Sequence, residues 1–222
     1  MTVRLYHIDP VTDPYGGSRN AAKAAIALRE AGVDFQEIHM SREHDLRPAN
    51  GTYRKTINPN GVTPTLDDDG WLVWESSAVL TYIAEKWSNG SLLPEELKTR
   101  ARVHQWLAWE GATFQPGLLG VFGLVAGGDT GSDALKLARG VYGQNLSVLD
   151  NALASSEFVA GELSIADIAL GCVVPIGFHL DVDLKPFPGI VAWLKRLADR
   201  ASFQAEAVFV ADYRAGAANS LV

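Results

Sequence analysis

Two short segments of the chain together constrain its fold and indicate a binding site. Residues 58–66 read NPNGVTPTL, and residues 75–80 read ESSAVL. Pro64 opens a short extended segment at a bend, which is one of the few settings where a cis peptide bond occurs. We therefore expect Thr63 to present its backbone N–H and C=O outward. Ser76 falls at a helix start, where its hydroxyl and the free N–H groups can receive a carboxylate. The pair predicts a site for a small peptide-like anion.

Composition narrows the class of protein and its partners. With 222 residues, the chain has room for one large or two small domains. Its net charge of -7 disfavours nucleic acid and anionic membranes as partners. The single cysteine, Cys172, excludes an internal disulfide and is typical of a reducing compartment. The longest apolar run, residues 168–178, is too short to span a bilayer. These features predict a soluble cytoplasmic protein.

The first third of the chain alternates strand and helix patterns. Residues 3–8 predict a strand, residues 19–31 an alanine-rich helix closed by Gly32, and residues 35–40 a second strand. Two more strands flank the turn at residues 67–70, which ends in Asp-Gly. A helix follows whose apolar face is formed by Val79, Leu80, Ile83, Ala84 and Trp87. The predicted order of elements in this part of the chain is therefore βαβ and then ββα.

The sequence of the rest of the chain has helical patterns and no strand pattern. Residues 89–95 are rich in Ser, Gly and Pro, which is typical of a linker. Ser164 to Asp167 form a capping box, which predicts a buried helix through Ala169 and Val173. Three apolar stripes at helical spacing are formed by Val103, Leu107, Phe114 and Leu118, by Ala138, Tyr142, Leu146, Leu149 and Leu153, and by Ile190, Trp193, Leu194 and Leu197.

These motifs resemble the cytosolic glutathione transferases, in particular bacterial, theta- or nu-like members with a serine or asparagine active site. That family has a cis-proline before its third strand, a Glu-Ser pair at its third helix and a Ser-Ile-Ala-Asp sequence in its helical domain. The resemblance implies an α/β thioredoxin-like N-terminal domain plus an all-α C-terminal helical bundle. We expect the first domain at residues 1–88, a linker at 89–95 and the helical, substrate-binding domain at 96–222.

The resemblance also implies how glutathione is bound. The main chain of Thr63, before a cis Pro64 and after Val62, would bond the cysteinyl backbone, and Glu75 with Ser76 would hold the γ-glutamyl end. The family usually has valine before this proline, but a main-chain contact tolerates threonine. The segment that often binds the glycyl carboxylate contains His44, Arg47, Tyr53, Arg54 and Lys55. The choice among these residues stays open.

Activating glutathione requires a hydrogen-bond donor near its sulfur. A thiol has a pKa of about 8.5, and lowering it by about two units requires roughly 2.7 kcal/mol of preferential interaction with the thiolate. A helix N-terminus and a nearby donor can supply this. Ser18 and Asn20 lie at the start of the first helix, and Asn20 with Lys23 resembles a Thr/Ser-x-Asn-x-x-Lys pattern of bacterial and fungal members. The hypothesis is that Ser18 or Asn20 donates to the sulfur.

Other residues compete for this role. Ser18 could act only as a helix cap, and the two roles can coexist. Tyr15, in the long loop of residues 9–17, is a further candidate for the sulfur contact. Tyr6 resembles the position used by tyrosine-type classes, although an aromatic residue on a strand is more often part of the core. Cysteine chemistry is disfavoured because Cys172 lies in an apolar helical run, where a thiol is usually inert.

The resemblance implies a pocket for the electrophile between the domains, lined by the fourth helix. Aromatic and polar residues recur there at helical spacing. Glu110 falls near an apolar face, so it should either pair with an arginine or face the cleft. The predicted pocket residues are Tyr15, Trp109, Glu110, Thr113 and Phe114, with Trp106 beside them.

No metal site is predicted. Asp67 to Asp69 lack the alternating spacing of a calcium loop and are most simply a charged turn. The five histidines show no ligand spacing along the sequence, and there is no glycine-rich phosphate loop.

We therefore predict a glutathione S-transferase that uses glutathione as co-substrate against a small hydrophobic electrophile, without a metal. The resemblance implies a homodimer and a role in detoxification. One alternative is glutathione-dependent ether cleavage or dehalogenation. An alternative of another class is a non-catalytic glutathione-binding or regulatory protein of the same fold.

Overall fold

The computed structural model describes residues 2–14 and 16–219, which form two compact units. The first unit contains the described residues up to Leu93 together with Ala201–Val210. The second contains Pro94–Arg200 and the described residues from Ala211 onward. The division after Leu93 falls within the segment predicted as a linker. The domain bounds 1–88, 89–95 and 96–222 stay a prediction.

A four-stranded mixed sheet forms the centre of the first unit. The strands are β1 (Val3–Ile8), β2 (Gln36–Met40), β3 (Thr65–Asp68) and β4 (Trp71–Trp74), in the order β2-β1-β3-β4. β1 is parallel to β2 and antiparallel to β3, which is antiparallel to β4. Asp69 and Gly70 have φ angles of 50° and 94°, the left-handed pair that a two-residue hairpin turn requires. The hairpin predicted at Asp-Gly therefore forms.

Three helices accompany this sheet: α1 (Arg19–Glu30), α2 (Thr52–Thr56) and α3 (Ser76–Trp87). α1 is rich in alanine and lies close to α3. It ends where Gly32, with a φ of 68°, donates its N–H to the carbonyl of Arg29. A short π-helical turn, Arg42–Leu46, lies between β2 and α2. On the α2 side of the sheet, Ile8, Leu46 and Tyr53 are buried together, and Tyr6, Met40 and Ile57 pack against them.

The second unit is built from helices. They are α4 (Leu97–Trp109), a π-helical turn (Glu110–Phe114), α5 (Gln115–Ala126), α6 (Asp133–Leu153), α7 (Ile165–Gly171), a 3-10 turn (Val174–Leu180), α8 (Pro188–Ala198) and the later part of α10 (Ala207–Asn219). The short α9 (Ala201–Gln204) belongs to the first unit. Apart from half-buried Ala138, every residue of the three predicted apolar stripes is buried.

Asp167 organises the start of α7. Ser164 and Asp167 form the predicted capping box. The Ser164 side chain accepts a hydrogen bond from the N–H of Ala166, and the Asp167 side chain accepts one from the N–H of Ser164. Asp167 also accepts hydrogen bonds from the N–H of Val159 at 2.9 Å and from the indole of Trp193 at 3.0 Å. This buried carboxylate therefore ties a loop and α8 to the start of α7.

Two details differ from the sequence-based expectations. α7 ends at Gly171 instead of running through Val173, because Pro175 follows and cannot continue a regular helix. The regular helix expected through Thr113 and Phe114 is interrupted by the π-helical turn at Glu110–Phe114. A π turn adds a residue to the hydrogen-bonded loop, so it changes which side chains share a face.

Candidate functional site

Three predicted segments meet at one edge of the sheet. Thr65 pairs with Tyr6 near the end of β1 and with Trp74 at the end of β4. The loop to α1 leaves the end of β1, Pro64 precedes β3, and Glu75 follows β4. The topology therefore brings the start of α1, the Thr63-Pro64 segment and the start of α3 to the same edge.

The Thr63–Pro64 bond is cis, and two side chains fix the segment before it. The carbonyl of Val62 accepts hydrogen bonds from the Tyr53 hydroxyl and from the amide of Asn58, both at 2.9 Å. The Val62 side chain is 50% exposed. Burial raises the pKa of Tyr53, so its phenol stays protonated as a donor. These two hydrogen bonds thus fix the backbone of the predicted binding segment.

The backbone N–H and C=O of Thr63 are available for a ligand. Thr63 is 8% exposed, and its buried Oγ1 has no hydrogen-bond partner within residues 2–14 and 16–219. In the same part of the chain, no protein hydrogen bond occupies the N–H or C=O of Thr63. A buried polar atom without a partner costs about 1–3 kcal/mol. A ligand with an amide group could pair with the N–H and C=O of Thr63, so this backbone fits a peptide-like ligand such as glutathione.

The start of α3 has the features of an anion receptor. Ser76 is its first residue and is half-buried, and the first turn contains no acidic side chain. No acidic side chain of the first turn therefore competes with a ligand for the N–H groups and the positive end of the helix dipole. Glu75, directly before the helix, has a φ of 72° and makes no side-chain capping bond. A positive φ is uncommon for a residue other than glycine, and such strain often marks a binding site.

Ser18 caps α1. Its Oγ accepts a hydrogen bond from the N–H of Ala21 at 3.2 Å. Because this bond uses an oxygen lone pair, the hydroxyl hydrogen stays available to donate elsewhere. The cap role and the sulfur-donor role are therefore compatible. Asn20 is half-buried in the first turn of α1, and Lys23 is fully buried in the same helix. Tyr15 lies outside the described residues.

A buried aspartate that the sequence reasoning missed holds the turn before Ser18. The carboxylate of Asp13 accepts a hydrogen bond from the N–H of Gly17 at 3.1 Å. Arg42 binds the same carboxylate through Nε at 2.9 Å and Nη2 at 3.3 Å. Gly17 has a φ of 99°, and a Cβ there would lie 3.2 Å from Pro10. The turn that delivers Ser18 is therefore fixed by a charge pair and a glycine.

The residues considered for the glycyl carboxylate have different surroundings. Arg54 donates from Nε to the carbonyl of Leu46 at 2.9 Å and from Nη1 to that of Pro59 at 3.3 Å. Together with Tyr53, it therefore supports the loop that contains the cis-proline. Arg47 is paired with Glu43 on the surface. His44 and Lys55 are exposed.

The predicted pocket residues of the helical unit lie at the junction of α4 and the π turn. Phe114 is fully buried, with ring centroids 5.4 Å from Trp109 and 5.3 Å from Tyr142. Glu110 is 1% exposed, whereas Thr113 is exposed. The carbonyl of Thr113 accepts a hydrogen bond from the amide of Asn145 at 3.3 Å. Phe114 therefore belongs to the core of this unit, and Thr113 has a side chain that solvent can reach.

Tyr6 and Cys172 were the alternative residues considered for sulfur chemistry, and both are at least partly buried. Tyr6 packs edge-on against Tyr53 in the core on the α2 side, with ring centroids 6.0 Å apart. Cys172 is buried at 2% exposure.

No helix in the described part of the chain has both the length and the apolar character needed to cross a bilayer.

The fold is a small mixed sheet with a cis-proline at its edge, followed by an all-helical unit, and it defines a two-domain class of protein. Several known proteins are similar to this chain. The models of the glutathione S-transferase N-terminal and C-terminal domains match residues 17–86 and 129–201. Glutathione S-transferase F10 of Arabidopsis thaliana is 31% identical over 203 residues, covering 83% of this chain and 90% of that protein. Glutathione S-transferase GstB of Escherichia coli strain K12 is 26% identical over 189 residues, covering 82% and 90%.

A solved structure agrees with these matches. The theta class glutathione S-transferase from Xanthomonas axonopodis pv. citri, determined with glutathione bound, has a TM-score of 0.76 and 27% identity, covering 92% of this chain and 96% of that one. The chain therefore belongs to the glutathione S-transferase family. The predicted fold class, a thioredoxin-like domain followed by a helical domain, is confirmed, and so is the prediction of an enzyme of this family. The serine or asparagine active site stays a prediction.

Proposed function

We propose that the protein binds glutathione at the sheet edge and activates its thiol for attack on a hydrophobic electrophile. One observation carries this proposal: the start of α1, the segment before Pro64 and the start of α3 lie at the same edge of the sheet. They do so because Thr65 pairs with both Tyr6 and Trp74. The backbone of Thr63, beside cis Pro64 and Val62, binds the cysteinyl amide group. Glu75 and Ser76 bind the γ-glutamyl end.

Ser18 is the proposed donor to the sulfur, with Asn20 as the second candidate. The start of α1 contributes about 0.3–1 kcal/mol toward an anion through its dipole, and up to about 2 kcal/mol where partly buried. A hydrogen bond to a charged group adds about 1.5–3 kcal/mol. Together these reach the roughly 2.7 kcal/mol that lowers a thiol pKa by about two units. No metal is required for this activation.

The electrophile is proposed to contact the helical domain near Trp109, Glu110, Thr113 and Phe114, and Tyr15 to contribute from the loop before α1. The exposed side chain of Thr113 supports its inclusion. Since Phe114 is fully buried, its role would be to support Trp109, and Glu110, at 1% exposure, would likewise act from beneath the pocket surface. We also propose domains at 1–88 and 96–222 with a linker at 89–95, a homodimer, a cytoplasmic location and a role in detoxification. Sedimentation of the purified chain tests the dimer.

The test of the proposed function is the ultraviolet absorbance of bound thiolate, followed across pH. We expect the wild-type complex to ionise about two pH units below free glutathione. Ser18→Ala should reverse most of that shift while leaving glutathione affinity within a few fold, and Asn20→Ala tests the second candidate. If neither substitution changes the ionisation or the turnover, the assignment fails.

A matched control separates helix capping from thiolate stabilisation. Ser132 caps α6 in the same way, through a hydrogen bond from the N–H of Leu135 at 3.1 Å. Ser132→Ala should therefore cost a similar stability, about 1 kcal/mol, without moving the thiolate pKa. If glutathione binds to the wild type without ionising, the proposal is wrong, and the result favours the alternative of a non-catalytic glutathione-binding protein. Product analysis with aryl ethers, halides and Michael acceptors separates conjugation from ether cleavage and dehalogenation.

A further inference from the structure

Three side chains that the proposed function does not use converge on one face of the sheet. His7 lies on β1, and Glu37 and His39 lie on β2. Oε2 of Glu37 is 3.3 Å from Nε2 of His7 and 3.2 Å from Nε2 of His39. The three ligand atoms all lie within 4.8 Å of one another. The ligand atoms of two imidazoles and a carboxylate thus lie close together.

The strand register creates this cluster. β1 and β2 are parallel, and His7 pairs directly with His39. Glu37 is two residues before His39, so the pleat places both side chains on the same face. The two imidazole rings meet edge to face, with centroids 4.6 Å apart. Because all three residues belong to hydrogen-bonded strands, their backbones are fixed before any ligand arrives. Spacing along the sequence could not reveal this grouping, since the ligands lie on two strands.

Two of the three separations are close to those of tetrahedral coordination. Zinc binds imidazole nitrogen and carboxylate oxygen at about 2.0–2.2 Å, and a tetrahedron's edge is about 1.6 times its bond length, or roughly 3.3–3.5 Å. The two distances from Glu37, at 3.3 and 3.2 Å, are close to that edge. The imidazole–imidazole edge is within 4.8 Å, and rotation of the His39 side chain, which is 45% exposed, can shorten it.

Neighbouring groups orient these ligands and favour a cation. Asp9 Oδ1 lies 3.7 Å from Nδ1 of His39, the ring nitrogen that faces away from Glu37. At 3.7 Å this carboxylate is beyond hydrogen-bond distance, so it acts on the imidazole through its charge and favours a cation bound to the ring. Arg29 binds the other oxygen of Glu37, Oε1, at 3.1 Å and is also paired with Glu206. The guanidinium of Arg29 therefore contacts two carboxylates, and Oε2 of Glu37 stays within hydrogen-bond distance of both histidines. Together with Asp9, these residues comprise three carboxylates and one guanidinium, an excess of negative charge that favours a cation.

We propose that His7, Glu37 and His39 bind one divalent transition-metal ion of the zinc type. Two imidazoles and one carboxylate suit Zn²⁺, Co²⁺ and Ni²⁺, whereas Ca²⁺ and Mg²⁺ prefer sites built from oxygen ligands. Three protein ligands leave one coordination position for water. The bound ion would fasten the edge strand β2 to β1. This site is separate from the residues proposed for glutathione, and its test does not depend on them.

The first test is calorimetric titration of Zn²⁺ into the full-length, tag-free protein after chelation. We expect one ion per chain and an increase in thermal stability with zinc concentration, because the ion binds only the folded state. His7→Gln, Glu37→Gln and His39→Gln should each weaken binding at least about tenfold. His104→Gln, at an exposed histidine in the helical unit, should leave the affinity unchanged. Equal binding by the wild type and the His7 and His39 variants would overturn the proposal.

Two measurements on the wild type guard against variants that fail to fold. Zn²⁺ should perturb the imidazole NMR signals of two histidines, assigned to His7 and His39, and leave those of His44, His104 and His179 in place. Co²⁺ should give the visible absorption typical of a tetrahedral site, and Zn²⁺ should abolish it. If Zn²⁺ shifts no histidine signal, the cluster is instead a hydrogen-bonded group around Glu37, and the proposal is wrong.

Discussion

Arg42 donates two hydrogen bonds to the carboxylate of Asp13, at 2.9 and 3.3 Å, across 29 residues of sequence. The Asp13 side chain is 1% exposed. The same carboxylate accepts the N–H of Gly17, the residue directly before Ser18. A charge pair between the loop after β1 and the turn after β2 therefore determines where the proposed sulfur donor lies.

Substituting Arg42 should uncouple this arrangement. Arg42→Met leaves the buried carboxylate of Asp13 without its guanidinium, and we expect a loss of about 1–3 kcal/mol in the free energy of unfolding. Since the turn also positions Ser18, turnover with glutathione should fall roughly tenfold or more. Urea unfolding and steady-state kinetics measure the two effects.

Arg47→Met is the matched control for this substitution. Arg47 pairs with Glu43 four residues away, and both side chains are more than half exposed. Such a pair contributes about 0.5 kcal/mol or less, so stability and turnover should barely change. An Arg42 variant with normal turnover would separate the Asp13 interaction from the function of Ser18.

Glu75 provides a prediction in which stability and binding change in opposite directions. Its φ of 72° costs of order 1 kcal/mol for a residue with a Cβ, and glycine adopts this angle without that cost. Glu75→Gly should therefore leave the protein as stable or up to about 1 kcal/mol more stable, and it should weaken glutathione binding. Thermal unfolding and glutathione titration test both parts.

Glu75→Gln separates charge from backbone geometry at this position. It retains the strained backbone and the side-chain shape, so stability should stay the same while glutathione affinity falls. If Glu75→Gly destabilises the protein, the positive φ is not a source of strain. If both variants bind glutathione as the wild type does, Glu75 has no part in the proposed site.

Local signals explain what the sequence could predict. The hairpin at Asp69-Gly70, the helix closed by Gly32 and the capping box of Ser164 and Asp167 each depend on residues within a few positions of one another. The cis bond before Pro64 was expected on similar local grounds and through the resemblance. Family membership followed because these local motifs occur in the order that the family uses.

Features that depend on distant residues were beyond sequence reasoning. Arg42 reaches Asp13, and Arg54 supports the cis-proline loop through Leu46 and Pro59, but neither contact has a sequence signature. The strand register brings His7 beside His39 from 32 residues away. The π turn at Glu110–Phe114 also went unpredicted, because its residues keep a helical pattern while one extra residue shifts the faces.

Asp167 should be among the most sensitive positions for stability. It is fully buried, and each of its carboxylate oxygens accepts two hydrogen bonds, from Val159 and Trp193 on one side and from the backbone and hydroxyl of Ser164 on the other. Asp167→Asn replaces one acceptor with an NH₂ group that faces two donors. Above the folded pKa, at about pH 7, we expect a loss of about 2–4 kcal/mol in the free energy of unfolding, measured in urea.

Asp199→Asn is the control for this change. Asp199 is paired with Lys195 at 2.8 Å, and both side chains are about two-thirds exposed, so its substitution should cost less than about 0.5 kcal/mol. Equal effects of the two substitutions would contradict a structural role for the buried hydrogen bonds.

Asp167 should also give the protein an unusual dependence on pH. Burial raises its pKa to about 6 from 3.8, against the effect of its hydrogen-bond donors. The folded protein then binds this proton more tightly than the unfolded chain does. Between about pH 4 and 6, the contribution of this group to stability therefore falls as pH rises, and it is constant above that range. At about 1.4 kcal/mol per pKa unit, the fall reaches up to roughly 3 kcal/mol.

The comparison of wild type with Asp167→Asn isolates this contribution, because the other carboxyl groups titrate in both proteins. Unfolding free energies measured in urea between about pH 4 and 7 should show the variant's deficit shrinking as pH rises, since only the wild type loses stability through Asp167. A deficit that stays constant or grows with pH would mean that the four hydrogen bonds hold the carboxylate ionised throughout, with its folded pKa at or below that of the unfolded chain.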